Sequence, residues 1–219
     1  MEISDQTRNT RLIFLSIVGI PVMVVLAATW LWFFVARGDL DLVAILGTSN
    51  HGSLVQPPRS LDEGNLLDSA GATFSYSDLP PQWTFLVPGK GVCRVDCENL
   101  LYLTRQIHLA MGNELRRIRR FYVSDSAVSE AVFDVDVLSN RRPAPTDFGQ
   151  YMEVEQLGMR TFTLPSDKYA SLFAEVYDDP TTWYLVDPAG WIMMSYTSET
   201  SYKMVIADLK FLLKNSSPV

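Results

Sequence analysis

The stretch WTFLVPGKGVCRVDCE, residues 83–98, carries the strongest structural signal in this chain. Its first part, Trp83–Val87, is a short apolar run of residues that favour strands, and it predicts a buried β-strand. Pro88–Gly91 is typical of a turn and ends that strand. Cys93 and Cys97 follow at once, where the chain passes from the strand into the next element.

The residues after the cysteines predict the next elements of an α/β domain. Apolar side chains recur at helical spacing from Leu100 to Met111, and Gly112-Asn113 supplies a helix stop signal. Ile118–Val123 predicts a second strand. A weakly patterned stretch around residues 125–175 follows, and we interpret it as an insertion.

The C-terminal part predicts a hairpin and a final helix. Trp183–Val186 and Trp191–Tyr196 are strand patterns joined by Asp187–Gly190, with proline second and glycine fourth as in a type I turn. Residues 201–214 place apolar side chains on one face, as in an amphipathic helix. The order strand, cysteine loop, helix, strand, insertion, hairpin and helix predicts an α/β, thioredoxin-like fold.

Cys93 and Cys97 are the candidate reactive residues, because the thiolate is the reactive form and a helix N-terminus stabilises it. Arg94 would strengthen this effect, whereas Asp96 and Glu98 would oppose it. Three interpretations stay open. The pair cycles between dithiol and disulfide, or two thiolates bind Cu(I), or a static disulfide braces the loop. The position at a strand-to-helix junction favours the first two.

Residues 12–36 read LIFLSIVGIPVMVVLAATWLWFFVA and contain no charged side chain. An apolar stretch of about 25 residues is long enough to span a bilayer, and the aromatic residues at its end favour the membrane interface. A cleaved signal peptide would have a shorter apolar region followed by small residues. We therefore predict one N-terminal transmembrane helix before the thioredoxin-like fold.

The charges that flank this span predict its orientation. Arg8 and Arg11 precede it, whereas Asp39 and Asp41 follow it with a single arginine, Arg37. The bias of positive charge toward the cytoplasm places the N-terminus inside. In a bacterium, the chain would then cross the inner membrane once and hold its soluble domain in the periplasm.

These boundaries predict four segments. Residues 1–11 form a cytoplasmic N-terminus and residues 12–36 the transmembrane helix. Residues 37–82 form a tether and N-terminal extension. Residues 83–219 form the thioredoxin-like domain, with the insertion around residues 125–175.

Composition excludes several classes of function. The chain has 219 residues and a net charge of -7, and it holds no basic stripe long enough to follow a nucleic-acid backbone. It has no Gly-rich phosphate loop. His51 is expected in a solvated turn and His108 at the border of an apolar helix face. One cluster of arginines would serve as a patch for anionic lipid or an acidic partner, or as a charged strand edge. Its members are Arg116, Arg117, Arg119 and Arg120.

With these motifs in place, the chain resembles the Sco family, membrane-anchored thioredoxin-fold proteins of cytochrome c oxidase assembly, and their bacterial relatives. The resemblance covers most of the chain from residue 45 onward, apart from the insertion. Besides the anchor and the cysteine segment, it is carried by Asn50-His51-Gly52-Ser53-Leu54 with Pro57-Pro58, by Arg105-Gln106 with Ala110–Glu114, and by Tyr184–Gly190.

The resemblance implies copper and thiol handling at the CuA centre of oxidase subunit II, through two cysteines and a distal histidine. Cys93 and Cys97 match the cysteines and would be the metal ligands, but Asp179 stands nearest to the place of the histidine. A carboxylate is a poor ligand for Cu(I), so the resemblance favours a function in thiol exchange over one in copper delivery. Pro180 matches the cis-proline that faces the cysteines in thioredoxin folds, and we expect it to face the substrate.

We therefore expect a membrane-tethered, thiol–disulfide oxidoreductase-like assembly factor for cytochrome c oxidase. Cys93 would attack and Cys97 would resolve. The partners would be an oxidase subunit or its assembly factors, and no cofactor is expected, although Cu(I) is compatible with the cysteines. Two alternatives stay open: an oxidase-associated docking protein with a structural disulfide, and a Cu(I) chaperone with an incomplete site.

Overall fold

The computed structural model of the chain describes residues 3–36 and 50–216. The chain divides into two compact units, residues 1–49 and 50–219. In the first unit, helix α1 runs from Ile3 to Ala36 and contains Pro21. Among the residues that the structure describes, no helix meets the combined requirements of length and hydropathy for crossing a bilayer. The transmembrane span over residues 12–36 therefore stays a prediction.

The second unit contains eight described strands: β1 Ser53–Ser60, β2 Trp83–Gly89, β3 Val92–Cys93, β4 Ile118–Ser124, β5 Val132–Phe133, β6 Arg160–Thr163, β7 Trp183–Val186 and β8 Trp191–Tyr196. Six of them form a mixed sheet with the strand order β1-β8-β7-β2-β4-β6. The other two, β3 and β5, form a separate pair of very short parallel strands at the cysteines.

The helices of this unit follow the predicted order, and the insertion adds two short ones. They are α2 Val95–Ala110, α3 Phe148–Glu155, α4 Ser166–Leu172 and α5 Tyr202–Asn215. Five 3-10 segments complete the described structure: Leu61–Gly64, Tyr76–Asp78, Gly112–Arg117, Val128–Glu130 and Ala174–Tyr177.

Strand β2 is buried along its whole length, which explains its unbroken apolar sequence. It pairs in parallel with β4 and antiparallel with β7. Its side chains alternate between two cores: Phe85 and Val87 join the cluster that includes residues of α2 and α5, whereas Leu86 joins the cluster on the other face. The parallel register sets Gly89 opposite Ser124, so both strands end at the same edge of the sheet.

The predicted hairpin is confirmed. Gly190 N–H donates to the Asp187 carbonyl (3.1 Å), and the Asp187 carboxylate accepts from the backbone N–H groups of Ala189 and Trp191. Gly190 has φ +91°, and a Cβ there would lie 2.9 Å from the ring of Tyr76. Glycine is required at this position for both reasons.

The insertion between β4 and β7 is part of the folded core. It adds β6 as the outermost strand of the sheet, parallel to β4. Glu155, at the end of α3, is almost fully buried and accepts from Arg105 of α2 and from Arg142. Arg120 of β4 is also buried and donates to Gln156 (2.5 Å). Burial lowers the pKa of Arg120 to about 10, so its guanidinium stays charged at neutral pH.

The start of the second unit is held by a buried carboxylate on α5. Asp208 accepts from the backbone N–H groups of His51 (2.9 Å) and Gly52 (3.2 Å), and from the Tyr196 hydroxyl (3.1 Å). His51 Nδ1 lies 2.8 Å from the same carboxylate. The expectation that His51 is solvated is therefore correct only in part. Its side chain is 42% exposed, but one ring nitrogen is paired with Asp208. His108 lies at a helix border, as expected, and burial lowers its pKa.

Asp208→Ala should lower the free energy of unfolding of the second unit by about 2–4 kcal/mol. The reason is that buried donors, including the Tyr196 hydroxyl, would lose their acceptor. Chemical denaturation followed by fluorescence would measure this change. Glu153→Ala, an exposed acid on α3, is the matched control and should change stability by less than about 0.5 kcal/mol. Equal effects of the two substitutions would contradict the role of Asp208.

Candidate functional site

The two cysteines lie at the carboxyl edge of β2 and are joined in a disulfide. Cys93 ends β3, and Cys97 lies in the first turn of α2, with their Cα atoms 5.2 Å apart. The predicted convergence of the pair at a strand-to-helix junction is thus confirmed. Cys97 is the third residue of α2, and the N–H groups of a first helical turn lack partners within the helix, which favours a thiolate there after reduction.

The two cysteines differ in exposure. Cys93 is fully buried, whereas Cys97 is partly exposed. Three exposed valines lie close to the pair in the chain or in the sheet: Val95 lies between the cysteines, Val92 precedes Cys93, and Val132 pairs with Val92. A molecule approaching from solvent therefore meets an apolar rim and Cys97 before it meets Cys93.

The insertion buries Cys93. The backbone N–H group of Val132 donates to the carbonyl of Gly91 (2.8 Å), and that of Asp134 donates to the carbonyl of Cys93 (3.0 Å). These two bonds hold the backbone at Cys93 and just before it. Next to these bonds, Phe133 stacks on Tyr151 with ring centroids 4.8 Å apart. The insertion thus covers Cys93 and leaves Cys97 partly exposed.

The charged side chains next to the cysteines differ in how far they are exposed to solvent. Arg94 forms a salt bridge with Asp134 (3.3 Å), but both side chains are mostly exposed, so solvent screens the pair. Asp96 is exposed. Glu98, by contrast, is almost fully buried directly after Cys97. Of the three charged neighbours named from the sequence, Glu98 is the one held in a low-dielectric setting.

Glu98 is bound by the insertion. It accepts from the backbone N–H and the hydroxyl of Ser139 and, at 3.4 Å, from the Tyr151 hydroxyl. Burial and the Glu98 carboxylate raise the pKa of Tyr151, so its phenol stays protonated. Gln156 donates to the Tyr151 hydroxyl (2.8 Å), which links this network to buried Arg120. The sequence does not predict this hydrogen-bond network, because Ser139 lies 41 residues from Glu98 and no local pattern connects them.

Asp179 and Pro180 form a turn. Asp179 Oδ1 accepts from the backbone N–H (2.8 Å) and the hydroxyl (2.7 Å) of Thr181, and Thr182 N–H donates to the Asp179 carbonyl. The expected cis bond before Pro180 is wrong, since the one cis peptide bond among the described residues precedes Pro57. Proline at the second position of such a turn takes the trans form. Pro180 is exposed, and its predicted role of facing a substrate stays a prediction.

The donor set for copper is incomplete. Within residues 3–36 and 50–216, no three His, Cys, Asp or Glu side chains are grouped so that they could hold a metal ion. The cysteines would supply two soft sulfurs after reduction, but the Asp179 carboxylate already binds Thr181. The described residues therefore place no third ligand of these types beside the two cysteines.

A central β2 flanked by parallel β4 and the antiparallel β7–β8 hairpin, with a cysteine pair between β2 and α2, defines a thioredoxin-like protein. The chain belongs to the family described as "Transmembrane-like, thioredoxin-like, C-terminal domain", whose sequence profile matches residues 83–142 and 135–216. The comparison with curated proteins found no significant match.

Solved structures of Sco proteins share this fold. Yeast Sco1 with copper bound is 16% identical and superposes with a TM-score of 0.51 over 78% of this chain and 98% of that one. Apo Sco1 from Thermus thermophilus is 15% identical, with a TM-score of 0.51 over 76% of this chain and 98% of that one. The resemblance to the Sco family is thus confirmed as a Sco-like thioredoxin fold.

Glu98→Gln should lower the thiol pKa of reduced Cys97, because it replaces a buried acidic side chain on the next residue of the helix by a neutral one. The pH dependence of the alkylation rate of the reduced full chain would measure this shift. Asp96→Asn removes an exposed charge from the same helical turn and should shift the pKa less. Equal shifts in the two variants would contradict a special role for the buried carboxylate.

Proposed function

We propose that this protein is a membrane-tethered thiol–disulfide exchange factor that acts in cytochrome c oxidase assembly. The observation that carries the proposal is the disulfide at the N-terminus of α2, with Cys93 buried and Cys97 partly exposed. The Sco-like fold supports the same site, and the family resemblance supplies the oxidase as the expected partner.

The reduced protein would transfer two electrons to a partner disulfide. The Cys97 thiolate attacks one partner sulfur, a mixed disulfide forms, and the other partner sulfur leaves as a thiolate. The Cys93 thiolate then attacks the Cys97 sulfur, which restores the intramolecular disulfide and releases the second partner thiolate. An external dithiol reductant must reduce Cys93–Cys97 before the next cycle. This order is the reverse of the one expected from the sequence, and we propose it because Cys93 is buried and Cys97 is not.

The proposed partner is an oxidase subunit whose cysteines must be reduced before they bind metal. Exposed Val92, Val95 and Val132 offer an apolar rim for a partner segment beside Cys97. Because the described residues group no third His, Cys, Asp or Glu with the two cysteines, we place copper in the partner. In a direct role of this chain as a Cu(I) chaperone, a partner residue would have to complete the site.

The proposed location is the inner membrane of a bacterium, with residues 12–36 of α1 as the span and the second unit in the periplasm. The uncharged, apolar sequence of residues 12–36 supports the span. The flanking charges support a cytoplasmic N-terminus. An anchor would keep the exchange site close to membrane-embedded oxidase subunits.

A second candidate function is favoured by the burial of Cys93. The bonds from Val132 and Asp134 hold the first cysteine so firmly that the disulfide could be structural, with the domain acting as an oxidase-associated docking protein. The reduction potential separates the two functions, because structural disulfides resist the glutathione pool.

The Cys93–Cys97 pair of the full chain in detergent should have a reduction potential of roughly -120 to -270 mV, the range of known exchange proteins. Titration in redox buffers with mass-spectrometric quantification of the two states would measure it. A value below about -300 mV would reject cycling and favour the structural disulfide of the docking protein.

In cells, Cys93→Ser should accumulate a mixed disulfide between Cys97 and an oxidase subunit, because the resolving thiol is absent. Cys97→Ser is the matched control and should trap at least about tenfold less, since its remaining thiol is buried. Non-reducing electrophoresis and mass spectrometry would identify the adducts. More adduct with Cys97→Ser would contradict the attack order, and normal oxidase assembly in a stable double-serine variant would contradict the exchange function.

A further inference from the structure

The outward face of α5 is both basic and apolar. Val205, Leu209 and Leu213 point into the core, which fixes the opposite face toward solvent. On that face Met204 is 45% exposed and Phe211 is 59% exposed. The face also holds exposed Ala207, Lys203, Lys210, Lys214 and Asn215.

This face is unusual for an acidic chain. Three of the five lysines in the sequence lie on it, although the net charge of the chain is -7. The one acidic residue of α5, Asp208, is buried and holds His51, Gly52 and Tyr196. No carboxylate of the helix therefore neutralises the outward lysines.

The basic surface continues past the C-terminal end of α5. Arg117 donates to the carbonyl (3.3 Å) and hydroxyl (3.1 Å) of Ser216, which brings the 3-10 segment Gly112–Arg117 against the helix end. Arg117 also pairs with Glu114, but its neighbour Arg116 is exposed. The arginine cluster is thus divided: Arg116 is exposed, Arg117 binds the C-terminal end of α5, and Arg120 lies in the core.

Helix α5 also holds the start of the second unit. The buried Asp208 carboxylate binds His51 and Gly52, which directly follow the first residue of that unit, Asn50.

We propose that the outward face of α5 binds the surface of an anionic bilayer. This inference rests on the proposed membrane anchor. The lysine ammonium groups would contact lipid phosphates, while Met204 and Phe211 enter the interface, as basic amphipathic helices do. Docking would limit the orientations in which Cys97 is presented to a membrane-embedded partner.

Lysine acetylation of the full chain in lipid nanodiscs tests this proposal. On discs that contain phosphatidylglycerol, Lys203, Lys210 and Lys214 should be acetylated at least about threefold more slowly than on pure phosphatidylcholine discs. Lys90 and Lys168 are internal controls and should not change. Salt at about 0.5 M should restore much of the lost reactivity, because it screens surface charge.

A pair of matched variants tests the apolar contribution. Met204→Ser with Phe211→Ser should reduce the protection of the three lysines. Val154→Ser with Leu157→Ser removes exposed apolar side chains elsewhere on the domain and should leave the protection intact. Equal acetylation rates on both kinds of disc would overturn the proposal. So would protection that depends on protein concentration and not on lipid charge, which would indicate a second copy as the occupant.

The proposed anchor has a separate readout in the same experiment. If the chain does not remain with the discs during purification at high salt, the transmembrane anchor of the proposed function is wrong. If it remains with them but the α5 lysines are not protected, the anchor stands and only the surface contact is rejected.

Discussion

The burial of β2 on both faces is the constraint on which the rest of the structure depends. Because the strand contributes to both cores, β4 and β7 must flank it and helices must cover one side of the sheet. The chain can leave this strand only at the carboxyl edge, and there it passes through Cys93 into α2. The place of the disulfide at the N-terminus of a helix thus follows from how the central strand is packed.

The insertion then makes the two cysteines unequal. Its backbone pins Gly91 and Cys93, and its side chains bind Glu98 in the first turn of α2. Buried charged groups, among them Arg120 and Glu155, hold it in place. Removing one partner of such a group leaves an uncompensated buried charge, which is costly. The insertion has the weakest sequence pattern in the domain. It nevertheless determines which cysteine is buried, and it binds the acidic side chain of Glu98 next to the pair.

Local pattern was sufficient for the elements that carry their own signal. The strands at Trp83 and Trp183, the helix after Cys97 and the amphipathic α5 lie where spacing of apolar residues predicts them. The edge strand β6 was missed because four residues, Arg160–Thr163, are too few to show an alternating pattern. The partners Asp208 and His51 are 157 residues apart in the sequence, and Glu98 and Ser139 are 41 residues apart. No local sequence pattern therefore predicts either contact. The expected cis bond before Pro180 was wrong because it was carried over from the order of elements, whereas the geometry of the turn decides it.

The amino-acid pattern is sufficient to predict the order of the strands and helices, the thioredoxin-like class and the position of Cys93 and Cys97 between β2 and α2. These properties follow from the periods of apolar residues and from turn residues, which act over a few positions. The three-dimensional packing is needed to show that Cys93 is buried and Cys97 partly exposed, that Glu98 lies in the core, and that the lysines of α5 share an outward face without a carboxylate. The burial of a side chain and its polar partners depend on which distant segments pack against each other. A local sequence pattern does not predict that packing.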